Sequence, residues 1–430
     1  MNQLPPGPRA PRAFQTLRWG ARPMRFMLDC RERYGDVFTV RIAQEGTWVM
    51  LSDPEHVKQV FTGDPAVFHA GEGNQILLPL VGDHSVLLLD EAAHMRERKL
   101  LLPPFHGQRM ERYGELMRAI ARDEIARWPR GESFQLHPRM QALTLEVIIR
   151  AVLGVDEGPR LERIRGTLQD LLHNVMHPTS TLLIASLGPR RFGRLPMVRK
   201  AMAPSTDLLF EEIDHRRAQP DLEEREDILS MLIQARHEDG RSMTNRELRD
   251  ELVTLLVAGH ETTATALSWS VERLVRHPAK LERLQAEVRA GEREYLDAVI
   301  KETLRLRPVL PLVVRRLTEP VEIGGHHLPA GVSVTPCIYL VHRREDIYPE
   351  PHSFRPERFL DTQPGTYTWI PFGGGVRRCL GASFAMFEME QVLAAVMEGL
   401  EVEPARLRSE RVGRRQITLT PRRGAEVVVA

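Results

Sequence analysis

Cysteine is scarce in this chain: Cys30, Cys337 and Cys379 are the only three in 430 residues. So sparse and odd a set argues against a disulfide framework and fits a reducing compartment. Neither sign of charge is in excess. With 59 Lys and Arg against 58 Asp and Glu, the formal net charge of +1 gives no reason to expect nucleic acid or a membrane surface as a bulk partner. No run of roughly 18 apolar residues occurs, so no bilayer-spanning helix is expected. Residues 1–14 are polar and rich in proline and arginine, without the apolar stretch of a signal peptide. The expectation is a cytoplasmic protein with a proline-rich N-terminal segment (1–20) and no membrane anchor.

What is present is ordinary globular composition, without internal repeat or low-complexity linker. Strands are expected at 37–42 and 48–51, joined by a turn around Gly46, followed by a short helix opened by Pro54. Residues 68–90, broken by Gly71, Gly73 and Gly82, read as a loop. Residues 91–235 are helical in pattern, with interruptions at Pro103-Pro104, Pro138, Pro178 and Pro220. Thr244 with Glu247 three residues on is a capping-box signature, and nothing stops that helix before His277-Pro278, a length of about 50 Å. A further helix is expected over 295–306, with Leu296, Val299, Ile300, Thr303 and Leu304 as its inward stripe. Short strands follow at 321–323 and 332–335, then a helix over 380–397. A hairpin pairing 416–419 with 426–429 closes the chain. The fold class is mainly α with minor β: one large helical domain, 1–430, with a small β-sheet region.

The segment Phe372-Gly373-Gly374-Gly375-Val376-Arg377-Arg378-Cys379-Leu380-Gly381 is the most informative. Consecutive glycines permit a close approach to something flat. Cys379 stands just before a helix, where free N–H groups and the helix dipole favour a thiolate and tune an attached metal. A lone free cysteine is usually a small buried hydrophobe. Here Phe372, Gly375, Cys379 and Gly381, with Arg377 two before the cysteine, resemble the cytochrome P450 haem-binding signature. The resemblance implies a cytochrome P450 fold and haem b held by Cys379 as the axial iron ligand. It also implies Arg377 on a haem propionate and Phe372 shielding the sulfur.

The long helix carries Ala258-Gly259-His260-Glu261-Thr262-Thr263. Glycine and β-branched threonine are poor helix-interior residues, which suggests a local distortion where a ligand approaches; threonine hydroxyls bonding loosened carbonyls explain the cluster equally well. The hexapeptide resembles the P450 segment in which an acid and a threonine flank the bound oxygen. Carried over, Thr262 hydrogen-bonds dioxygen, Glu261 feeds protons from solvent, and Ala258 and Gly259 leave room for oxygen and substrate.

Glu302 and Arg305 share a helix face, as do Glu124-Arg127 and Glu403-Arg406 at the same spacing. Their order before Pro356-Glu357-Arg358-Phe359 and the cysteine loop matches P450 proteins, where Glu302, Arg305 and Arg358 would form a buried ionic cluster. His94 and Arg98, four apart, match propionate-binding residues of bacterial members. So does Arg315, with Arg316 as the alternative.

The resemblance spans most of the chain and implies a monooxygenase. It would take O2 and two electrons from a separate ferredoxin or flavodoxin with its reductase, and hydroxylate or epoxidise an apolar lipid-, terpenoid- or polyketide-like molecule. Arg96, Lys99, Arg109, Arg112 and Arg378 are candidates for a docking patch. Residues 77–89, 173–187, 253–263 and 309–314 are expected to line the pocket. A monomer is expected. A peroxide-driven or rearranging haem-thiolate enzyme and a non-catalytic haem sensor are the rival functions; the Glu261-Thr262 pair favours oxygen activation.

Overall fold

The computed structural model describes residues 4–105, 109–155, 157–176, 178–360 and 362–430. The helices that position the site are α1 (Pro54–Thr62), α2 (Glu91–Leu101), α3 (Arg109–Ala126), α4 (Leu136–Leu153), α5 (Asn245–Val275), α6 (Glu294–Leu306) and α7 (Ala382–Gly399). The chain has the mainly α architecture with small sheets that its pattern of elements implies.

The capping box is realised at the start of α5. The Thr244 hydroxyl accepts from Glu247 N–H at 3.2 Å and the Glu247 carboxylate accepts from Thr244 N–H at 2.7 Å. Beyond its first turn α5 is buried almost throughout, with α3, α4, α6 and α7 packed around it or each other. Gly259 sets how near α4 comes: a Cβ there would lie 2.8 Å from Ile148 Cδ1. Pro138 sits within the first turn of α4, where its missing N–H is harmless, so it does not interrupt the helix. The helix stops instead at Gly154, whose φ of 58° is left-handed.

A five-stranded sheet of order β1-β2-β8-β5-β3 flanks the helices. It comprises β1 (Val37–Ile42), β2 (Gly46–Leu51), β3 (Phe68–His69), β5 (Arg315–Leu317) and β8 (Ser333–Pro336); only β2 and β8 pair in parallel. β6 (Val321–Ile323) and β7 (His326–Leu328) form a hairpin.

Two expectations need correction. Residues 68–90 are not a plain loop: they contain β3 and the helical turns Ala70–Gly73 and Leu78–Val81. The C-terminal hairpin pairs β10 (Val412–Arg415) with β11 (Thr418–Pro421) through a two-residue turn in which Gln416 takes φ 54°. β12 (Glu426–Val429) instead pairs with β4 (Ser133–Gln135) and β9 (Val402–Pro404), because the turn at Gly424, φ 78°, redirects the chain. Among the described residues no helix is long and apolar enough to cross a membrane.

Candidate active site

The cysteine loop is closed by its own backbone. Cys379 N–H donates to Phe372 O at 3.0 Å and Gly373 N–H to Ile370 O at 3.0 Å. Gly373 and Gly375 have φ of 68° and 63°, which L side chains rarely adopt. A Cβ on Gly374 would enter the Phe61 ring, and one on Gly375 would strike Phe61 O. Gly374 and Gly375 thus let the loop lie directly against the end of α1. Gly381, by contrast, caps α7 with nothing within 4 Å of where its Cβ would point. The Phe372 ring packs edge-on against Trp369 at 6.1 Å.

Cys379 has accessible surface yet is enclosed by protein, so its thiol opens onto an interior space. Burial raises the thiol above its ordinary value; the Gly381 N–H, Arg378 and Arg98 pull the other way and do not prevail. The helix start alone thus does not make the thiolate expected from the sequence. A metal cation bonded to sulfur would.

Near that thiol four basic side chains converge with too few acids. Arg315 is buried and pushed down to about 10 by desolvation and by Arg377, against Asp90. Arg377 is likewise pushed down to about 10 by burial and Arg98, Asp90 opposing. Burial and the positive charges of Arg377, Arg98 and Arg315 depress His94 to about 3, so at neutral pH it is an uncharged donor rather than a fourth cation. Arg98 donates to Arg378 O at 2.9 Å. Strand alternation decides between the two arginines of β5: Arg315 faces this cluster, whereas Arg316 points toward Gly46 and the charge of Glu45.

Asp90 was missed by the sequence analysis. It stands at the N-cap of α2 but makes no cap bond. Its carboxylate pairs with Arg377 at 2.5 Å and accepts from Gly71 N–H at 2.8 Å and Glu72 N–H at 3.0 Å. Arg377 is further held by the carbonyls of Val86 and Leu89.

Midway along α5, Ala258 is exposed and Val257, Gly259 and Thr262 are half-buried, between turns that are fully buried. This window opens a helix otherwise sealed by packing. The helix runs unbroken through it. Thr262 Oγ1 donates to Ala258 O at 2.7 Å, and Thr144 Oγ1 to His260 O at 3.1 Å. Gly259 faces Ile148, so its missing Cβ also lets α4 pack close. Glu261 lies on another face. One carboxylate oxygen accepts from Gln141 Nε2 at 2.6 Å; the other has no hydrogen-bond partner and lies 3.5 Å from Arg415 and 3.9 Å from His137. Burial raises this carboxyl, against Arg415 and Gln141. Glu388 of α7, also missed, is buried beside the Thr263 hydroxyl and raised well above the ordinary range by desolvation. No pattern in the sequence marks it, since its partner is 125 residues away.

Glu302 and Arg305 are both fully buried and joined by two bonds, 2.6 and 2.9 Å. Arg358 Nε approaches the same carboxylate at 3.3 Å and Arg355 N–H donates to it at 2.7 Å. Arg305 also reaches the carbonyls of His342, Pro351 and Ser353. The look-alike pairs differ: Glu124 meets Arg139 and Trp128, and Arg406 meets Glu426. Of the expected docking patch, Lys99 is paired with Glu238 and Arg112 with Glu226, while the Arg109 side chain lies outside the described residues. Of the expected pocket lining, residue 177 and the side chains of 173, 175, 176, 178, 181, 182 and 185 also lie outside them.

The cytochrome P450 family model matches residues 4–427. Cytochrome P450 135B1 of Mycobacterium tuberculosis is 46% identical over 99% of this chain and 91% of its own length. Cytochrome P450 137 of the same organism is 39% identical over 98% and 90%. Among solved structures, the retinoic acid-bound cyanobacterial CYP120A1 superposes with a TM-score of 0.85 at 24% identity, covering both chains fully. The cytochrome P450DA heme domain gives 0.82 at 22%, over 99% and 97%. These two support the fold alone. The chain belongs to the cytochrome P450 family. It is a P450 monooxygenase, an oxidoreductase that carries cysteine-ligated haem b; the fold in general implies O2 and a redox partner. The residues present fit that group: an enclosed sulfur open on one side, and a buried surplus of positive charge suited to two carboxylates.

Proposed function

We propose that Cys379 is the haem ligand and that residues 1–430 form one catalytic domain, which inserts one oxygen atom into an apolar, lipid-, terpenoid- or polyketide-like molecule. The observation that carries this reading is the enclosed Cys379 thiol beside the Arg98, Arg315 and Arg377 cluster. When bound, haem supplies a thiolate-ligated iron that activates dioxygen.

The protein's own residues do the rest. Arg98, Arg315 and Arg377 hold the two propionates, with His94 as a neutral donor. Phe372 covers the sulfur, and Gly375 and Gly381 keep the loop tight against α1 and open at the start of α7. Val257 and Ala258 present apolar surface to substrate. The Thr262 hydroxyl, whose proton is engaged by Ala258 O, offers its lone pairs to a proton donor in the window. Glu261, held above the ordinary carboxylate range by burial, exchanges protons with solvent through water reaching its unpartnered oxygen beside Arg415, whose side chain is about a third exposed.

Electrons come from a separate ferredoxin or flavodoxin with its reductase. The docking surface we assign is the cleft of about 380 Å³ lined by Met110, Arg378, Ala382, Ser383, Met386, Phe387 and Glu390, next to the sulfur in sequence and open to the outside. With Lys99 and Arg112 already paired, Arg378 is the basic side chain in its lining that an acidic partner would meet. Scarce cysteine is consistent with a cytoplasmic setting.

The test is the reduced, carbon monoxide-treated protein, expected to show the strongly red-shifted Soret band of thiolate-ligated haem. A Cys379→Ser variant that keeps the band overturns the ligand assignment. Oxygen consumption that depends on an electron donor and matches product formed distinguishes monooxygenation from peroxide-driven or rearrangement chemistry.

A further inference from the structure

Helix α2 presents His94 and Arg98 to the haem side, but Glu97 points elsewhere. It meets His237, from the turn before α5, and Glu247, from the first turn of α5 itself. One potential ligand atom from each of the three lies within 4.8 Å of the other two. Glu97 is 6% exposed and His237 7%. His237 Nε2 and Glu97 Oε1 face one another at 3.8 Å, and at that depth Glu97 Oε2 has no hydrogen-bond partner. Unsatisfied polar atoms so deeply buried are costly and call for a ligand.

We propose that Glu97, His237 and Glu247 form a binding site for one divalent cation of the zinc class. Two carboxylates and an imidazole nitrogen supply the mixed O/N donors that favour such an ion over magnesium or calcium. Bonds of about 2.0–2.2 Å require ligand atoms at the 4.8 Å limit to move inward by about 0.7 Å each. Side-chain rotation supplies that.

The turn bearing His237 is preset by backbone bonds, His237 N–H to Arg241 O and Gly240 N–H to His237 O, both 2.9 Å. The position is now shared by the Arg241 guanidinium, which bonds Glu247 at 2.8 and 3.1 Å and sits 3.1 Å from His237 Nε2. Arg241 is 47% exposed and free to swing into solvent. A bound ion cross-links α2 to the start of α5, and so stiffens the helix that carries His94 and Arg98.

The experiment uses untagged, haem-loaded protein stripped with a chelator, then titrated with zinc sulfate against a chromophoric competing chelator, with the thermal midpoint as a second readout. One zinc per chain and a raised midpoint are expected. Glu97→Gln and His237→Gln should each weaken binding by about tenfold or more. Arg241→Gln should tighten it. The carbon monoxide spectrum reports that each variant is folded. Binding weaker than about 1 mM overturns the site. So does equal affinity in the parent and both ligand variants, which means an adventitious ion only. Arg241→Gln binding no tighter than the parent overturns the shared position.

Discussion

Removing the Glu302 carboxylate tests whether the buried ion cluster holds the haem-bearing fold together. In Glu302→Ala, Arg305 keeps its three carbonyl acceptors and its position over the Tyr348 ring, but loses both bonds to its counter-charge at zero exposure. Stripping one partner from a buried pair costs about 3–5 kcal/mol. The Arg355 N–H is orphaned as well, at roughly 1–3 kcal/mol if water does not reach it. Arg358 loses a weaker contact. Against a typical stability of about 5–15 kcal/mol, the expected result is a chain that folds poorly and holds little haem. Glu302→Gln keeps the shape and one acceptor but leaves two guanidiniums facing an amide, so it should rescue little. Arg406→Ala, which disrupts an exposed pair, is the control and should change nothing measurable. The assay is denaturant midpoint by fluorescence together with haem content from the Soret band. A Glu302→Ala protein with parental midpoint and haem occupancy refutes the reasoning.

Thr262→Ala should bind haem as the parent does while diverting reducing equivalents to hydrogen peroxide, read as the ratio of peroxide to product per electron pair; unchanged coupling removes Thr262 from its role. Arg315→Ala should release haem to an acceptor apoprotein faster, and Arg316→Ala should not, since only Arg315 faces the basic cluster; equal rates contradict the strand-alternation argument. Glu388 holds its proton to higher pH folded than unfolded, so its stabilising contribution is present below about 4.5 and lost as pH rises toward its folded value. Glu388→Gln is neutral at every pH and should therefore stabilise more at about pH 8 than at about pH 5. A pH-independent difference in denaturant midpoint would sink that assignment.

Much of the fold and part of the site were legible because their signals are local. The capping box at Thr244 and Glu247 set the start of α5, and the glycine run with Cys379 marked a loop before a helix. Both depend on residues within a few positions of one another. Function was legible through the same short segments: Phe372 to Gly381, and Ala258 to Thr263.

What required the tertiary structure was every choice between locally equivalent alternatives. Glu302-Arg305, Glu124-Arg127 and Glu403-Arg406 have one spacing, but only the first has both partners wholly removed from water, because the 349–358 segment folds over it. Asp90 looks like a helix cap and instead spends its carboxylate on Arg377, which chain folding brings from 287 residues away. Arg315 and Arg316 differ only in which face of β5 they occupy. Gly259 and Gly374 carry no label saying that Ile148 and Phe61 pack against them. The C-terminal strand β12 found partners in β4 and β9 that no adjacent sequence foretells. Sequence determines local geometry through backbone sterics and near-neighbour hydrogen bonds; which charges are stripped of water, and beside what, is settled only when distant segments pack.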